Sequence, residues 1–103
     1  MVEVIWTEPA LADIDRIADY ISLADPAAAR SLVQRAFHAT DKLAKFPKLG
    51  PCPRELIGTG YRHIIVAPLR IFYRLEQQAA YVIHVRRSEQ RFSLSDLEAR
   101  ESE

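Results

Sequence analysis

The sequence predicts an α+β domain in which one strand and an antiparallel helical hairpin precede an antiparallel sheet, in the order β-α-α-β-β-β. Three observations carry this reading. Apolar residues recur at spacings of three and four in the first half, they alternate in the second, and a loop holding Pro47, Pro51 and Pro53 with Gly50 divides the halves.

Val2 to Trp6 is β-branched and aromatic, so it reads as a strand. Thr7 can cap the following segment, and Pro9 falls in a first helical turn, where a missing N–H costs nothing. Ala10, Leu11, Ile14, Ile17, Ala18 and Ile21 then trace an apolar stripe, and Asp13, Asp15, Arg16 and Asp19 fall mainly on the other side. Asp25-Pro26 repeats the same start. Ala29, Leu32, Val33, Ala36, Phe37, Thr40, Leu43 and Ala44 carry the second helix toward Pro47, and the short link makes the two helices antiparallel neighbours. Trp6 and Tyr20 are expected to be core aromatics, and His38 a surface or half-buried residue.

After the proline-rich loop, Glu55 to Ile57 is expected to be extended and Gly58-Thr59-Gly60 to turn. Tyr61 to Val66, Leu69 to Glu76 and Ala79 to Arg87 alternate and are separated by Ala67-Pro68 and Gln77-Gln78, which is the pattern of a meander. If Leu69, Ile71, Tyr73 and Leu75 face the helices, an odd-length turn near Gln78 places Tyr81, Ile83 and Val85 beside them. A two-residue turn would bury His84 and Arg86 instead. The odd-length turn is the expectation. It leaves Arg70, Phe72, Arg74, Val82, His84 and Arg86, with Tyr61, His63 and Ile65, on the other face.

The chain has 103 residues, 49% hydrophobic and 27% charged, which suits one small folded domain whose limited core makes a covering partner unsurprising. Residues 1–92 are assigned to that domain and 93–103 to an acidic tail that either folds as a short helix or frays. Neither a signal-peptide pattern nor an apolar run of bilayer-spanning length is present, so a cytoplasmic, non-membrane protein is expected. Cys52, the only cysteine, excludes an internal disulfide framework. No metal or cofactor is called for. The 14 basic and 14 acidic residues balance, yet residues 54–92 are locally rich in arginine while the tail holds Asp96, Glu98, Glu101 and Glu103. Overall neutrality counts against a nucleic-acid grip as the main role.

The predicted open face could do chemistry. Its arginines could bind phosphate, and His63 or His84 could transfer a proton during 2′-hydroxyl attack on RNA. Arginine and histidine are equally ordinary residents of a solvated sheet face.

Trp6-Thr7-Glu8-Pro9-Ala10-Leu11-Ala12-Asp13-Ile14, Ile17-Ala18-Asp19-Tyr20-Ile21, Phe46-Pro47-Lys48-Leu49-Gly50, Arg54-Glu55-Leu56 and Arg70-Ile71-Phe72-Tyr73-Arg74 together resemble the RelE/ParE toxins, in the same order. Val82-Ile83-His84-Val85-Arg86-Arg87 is similar to that superfamily's last strand. The resemblance implies the toxin of a type II toxin–antitoxin, or plasmid stabilisation, module whose growth arrest is neutralised by a cognate antitoxin. Operator DNA would be met only through that antitoxin.

Two activities divide the superfamily, ribosome-dependent mRNA cleavage without a metal and poisoning of DNA gyrase without a reaction. On the ribonuclease pattern, Arg70 and Arg86 or Arg87 would be catalytic, with His63 and His84 as proton-transfer candidates. However, Phe92 stands where those members place a tyrosine, and Gly60-Tyr61-Arg62-His63 lacks their two lysines. The helix pattern and Arg54-Glu55-Leu56 look more like the ParE branch, so gyrase is the expected target and the ribosome the alternative. A degenerate, non-toxic member is the third reading. Arg62, Arg70, Arg74, Arg86 and Arg87 are the candidate contacts for antitoxin or target.

Overall fold

The computed structural model describes residues 1–88 and 94–101. Phe92 lies outside the described residues. Strand β1 (Glu3–Trp6) leads into helices α1 (Glu8–Ser22) and α2 (Pro26–Asp41), then strands β2 (Tyr61–Val66), β3 (Leu69–Glu76) and β4 (Ala79–Arg87), and helix α3 (Leu94–Glu101). The helix starts follow the expected chemistry. Thr7 Oγ1 accepts from Ala10 N–H, Asp25 Oδ1 accepts from Ala28 N–H, and each helix has proline in its first turn. A single 3₁₀ turn, Lys42–Ala44, closes the helical half before Pro47.

The sheet order is β1-β4-β3-β2. The last three strands form the expected antiparallel meander, but β1 lies parallel to β4, with Glu3 opposite Ala79 and Trp6 opposite Val82, so the sheet is mixed. The helical hairpin is what permits this. It carries the chain back so that β4 can enter beside β1 in the same direction.

Register departs from expectation. Glu76 pairs with Ala79, so the β3–β4 turn has two residues, and Gln77 takes the positive φ (41°) that tight hairpin turns require. The odd residue lies inside β4 instead. Phe72 pairs with His84 and Tyr73 with Val82, leaving Ile83 as the extra residue of a β-bulge. Side-chain parity therefore reverses there. Ala80, Val82 and Val85 pack toward the helices with Leu69, Ile71 and Tyr73, while Tyr81 and Ile83 join Phe72 on the other face. The bulge also keeps His84 and Arg86 off the helix-facing side, which a two-residue turn alone would not have done.

The main core joins Ala10, Ile14, Leu32, Ala36 and Leu43 of the helical half to that sheet face. Trp6 packs against it, its ring 4.6 Å from that of Phe37 and its Nε1 donating to Thr40 Oγ1. Tyr20, expected in the core, is 65% exposed. It follows Ile17 by three residues but flanks the stripe that ends at Ile21, and its ring meets the Arg87 guanidinium at 5.6 Å. A second cluster on the opposite face unites Leu56, Phe72, Ile83 and Leu97. Residues 54–56 form a 3₁₀ turn where an extended segment was expected, and this turn inserts Leu56. The face is accordingly part-covered, by this turn and by α3.

Candidate functional site

Three cross-strand rows build the face opposite the helical hairpin. Ile65, Arg70 and Arg86 form one, His63, Phe72 and His84 the next, and Tyr61, Arg74 and Tyr81 the third. In the middle row the Phe72 ring stacks between the two imidazoles, at 6.1 Å from His63 and 6.0 Å from His84. Guanidinium groups lie over aromatic faces, Arg70 over Phe72 at 4.9 Å and Arg74 over Tyr81 at 4.6 Å.

Like charges directly opposite one another destabilise a sheet. Carboxylates offset this, three of them from outside the sheet (Glu55, Asp96 and Glu101) and one, Glu76, from the end of β3 itself. Arg70 reaches Glu55 at 2.9 Å, Arg86 reaches Asp96 at 3.1 Å, and Arg74 bonds Glu76 at 2.6 Å and Glu101 at 2.7 Å. Glu55 is held below the usual carboxylate range by its own backbone N–H and by Arg70. His63 Nδ1 accepts from Arg70 Nε at 3.3 Å, and burial together with the Arg70 charge lowers its pKa against a smaller opposing effect of Glu55. A neutral imidazole follows.

Arg62 and Arg87 belong elsewhere. Arg62 shares the helix side of the sheet with Ile64, and its Nη1 donates to Gly50 O at 2.8 Å, clasping the proline-rich loop. Arg87 pairs with Leu69 and covers Tyr20. The structure thus gathers Arg70, Arg74, Arg86, His63 and His84 on one face and leaves these two outside it.

Asp13 departs from the sequence expectation at the site. Grouped with residues mainly on the polar side of α1, it is 1% exposed. Its Oδ2 lies 2.8 Å from His84 Nδ1 and accepts from Val85 N–H at 3.0 Å, at the stretch of β4 that extends past β1. Arg100 of α3 grips both oxygens, at 2.8 and 2.6 Å, and Arg16 adds a bond of 2.8 Å. Burial raises the Asp13 pKa, but the bonds from His84, Arg100 and Val85 outweigh it and bring the value down to about 2. An ionised carboxylate only accepts, so His84 Nδ1 carries the proton. A signal was present in the sequence, because Asp13 lies three residues after Ala10 and four before Ile17, within the apolar stripe.

His84 is therefore tied to a structural carboxylate and sandwiched against Phe72, with its Nε2 buried. Cys52 is half-buried, its thiol 3.1 Å from Leu56 O. Among the described residues no cluster of metal-ligating side chains occurs, and no helix of the described chain is long and apolar enough to cross a membrane.

A family model described as the ParE toxin of type II toxin–antitoxin systems, parDE, matches residues 4–92. The protein named Toxin RelE2 of Caulobacter vibrioides (strain ATCC 19089 / CIP 103742 / CB 15) is 34% identical over 86 residues, 84% of this chain and 94% of that one. Among solved structures, one titled the chromosomal ParDE TA system from P. aeruginosa aligns with a TM-score of 0.72 and 26% identity, covering 86% of this chain and 98% of that chain. The chain belongs to the ParE toxin family of type II toxin–antitoxin systems, within the wider RelE/ParE superfamily. Membership implies a cognate antitoxin as partner.

Proposed function

We propose that the chain is a growth-arresting toxin that inhibits DNA gyrase by contact, through the face carrying Arg70, Arg74 and Arg86, without itself catalysing a reaction. The observation that carries this reading is the state of the two histidines. His84 spends its Nδ1 proton on buried Asp13, and His63 Nδ1 is occupied by Arg70. Neither is disposed as a free acid–base group beside an RNA backbone, and general acid–base assistance is worth roughly 10²–10⁴ in rate. A face of arginines interleaved with aromatics remains well suited to contact.

The match to the ParE family over residues 4–92 supports gyrase as the target. Purified protein is expected to inhibit supercoiling and to trap gyrase on cleaved DNA, while ribosome-bound mRNA stays intact. In bacteria, expression should arrest growth, and coexpressed antitoxin should restore it and raise solubility. Codon-positioned mRNA cleavage that disappears with Arg70→Ala would install the ribonuclease reading. Normal growth at high levels of folded protein would leave only a degenerate toxin.

A further inference from the structure

Helix α3 ties itself to the rest of the protein through side chains of two kinds. Leu97 is fully buried between Leu56, Phe72 and Ile83, so the helix has an apolar seat on the sheet. Arg100 reaches past the sheet edge to Asp13 with two bonds and to Pro9 O with a third at 3.1 Å, which fixes the helix to α1. Two further contacts fall on the proposed working face. Asp96 meets Arg86, and Glu101 meets Arg74 through both carboxylate oxygens, at 2.7 and 2.9 Å.

A helix that carries acids onto two arginines, and is itself anchored by an arginine on a different carboxylate, separates holding from covering. The Asp13–Arg100 pair does the holding. Asp96 and Glu101 do the covering, and they occupy the guanidinium edges that an external acidic partner or a phosphate would need.

We infer that α3 is an autoinhibitory strap, latched at Asp13 by Arg100, which must lift before a target reaches Arg74 and Arg86. This rests on the contact reading of the face given above. Lifting carries a cost set by the latch and by the burial of Leu97, so at any moment a minor fraction of molecules presents the bare face. A ligand that engages the two arginines draws the population toward that open form.

The test uses the full chain with Arg100→Ala, which removes the latch without touching the face, and with the double change Asp96→Ala and Glu101→Ala, which strips the cover. Arginine modification by phenylglyoxal, read residue by residue by mass spectrometry, reports masking independently of any biological activity. Loss of a bond between charged groups should raise labelling of Arg74 and Arg86 about tenfold in Arg100→Ala. Arg35, which bonds Ala67 O far from α3, should stay unchanged. A cooperative thermal transition near that of the parent confirms that each variant is folded, and the double variant keeps the test open if Arg100→Ala is not.

Growth measured across a range of expression levels then reads the consequence. Both variants should arrest cells at lower expression than the parent chain. Unchanged labelling in folded variants overturns the strap. Faster labelling with no gain in toxicity over a toxic parent overturns its inhibitory role. Growth indifferent to parent and variants alike, with labelling accelerated, instead overturns the toxin reading and the inhibitory role with it.

Discussion

A buried aspartate with five N–H groups around it is a costly thing to place in a small protein, and Asp13 shows what the cost secures. It replaces a missing strand by accepting Val85 N–H, and it joins α1, β4 and α3 at one atom pair. Its pKa, about 2 against an ordinary 3.8, is lower in the folded state, so its contribution is fully present above pH ~4 and is lost as pH falls through about 2. The size is on the order of 2 kcal/mol. Asp13→Asn should lower stability at pH 7 by about that much, and the gap between variant and parent should close as denaturant melts are taken down toward pH 2. A constant gap across that range would contradict the linkage. Ile71 and Arg74 give a second residue-scale contrast, because they are close neighbours on opposite faces of β3. Ile71→Ala should cost about 2–5 kcal/mol through its cavity, and Arg74→Ala much less, since its acids remain partly solvated. Equal losses in urea melts would mean that the faces are misassigned. Single residues were the least legible part of the sequence. Composition marks Asp as polar and Tyr as apolar, but it does not reveal that β4 offers Asp13 a bare N–H or that Arg87 offers Tyr20 a cation.

At the level of elements, the sequence was most readable where local chemistry decides the outcome. Thr7 and Asp25 cap because their own side chains reach their own helices, and Gly58 and Gly60 turn because each takes a φ of 86°. It was least readable where a partner strand decides. The cost of burying His84 calls for one odd residue between β3 and β4, but nothing in Tyr81-Val82-Ile83-His84-Val85 tells whether that residue sits in the turn or, as found, inside the strand at Ile83. The proline-rich loop shows the same division. Its prolines announce a loop, but only the fold shows that Gly50 lies against β2 and β3, where its N–H bonds Tyr73 Oη at 2.9 Å and an added Cβ would run into the His63 carbonyl oxygen. Gly50→Ala should therefore cost about 3 kcal/mol or more, because the obstacle is backbone and cannot swing aside. The expected readout is a lowered urea midpoint with exchange protection lost first at His63 N–H, which bonds Pro51 O. A melt matching the parent would show that the loop can shift at no cost.

For the molecule as a whole, the order of elements and the family were readable because many weak motifs occur in one sequence of positions, whereas the working face was readable only in part. Parity placed Arg70 and Arg74 correctly. Their acids could not be placed, because Glu55, Asp96 and Glu101 come from segments whose docking depends on Leu56 and Leu97 filling a second core. His63 and His84 now separate in what they predict. His63→Ala should leave toxicity nearly unchanged in a growth assay, whereas His84→Ala should act through stability by removing a bond to Asp13; loss of toxicity in a fully stable His63→Ala chain would restore proton transfer to the mechanism. The parallel seating of β1 beside β4 reaches further, into how the protein is made. Glu3–Trp6 emerges early in synthesis, but the part of β4 that it pairs with, residues 79–82, is among the later segments to appear. Until then β1 lacks its neighbour in the sheet, and the apolar stripe of α1 lacks much of the surface it covers. A polypeptide interrupted before Ala79 is accordingly expected to be unfolded and readily proteolysed, so stalled synthesis of this chain should leave no folded fragment.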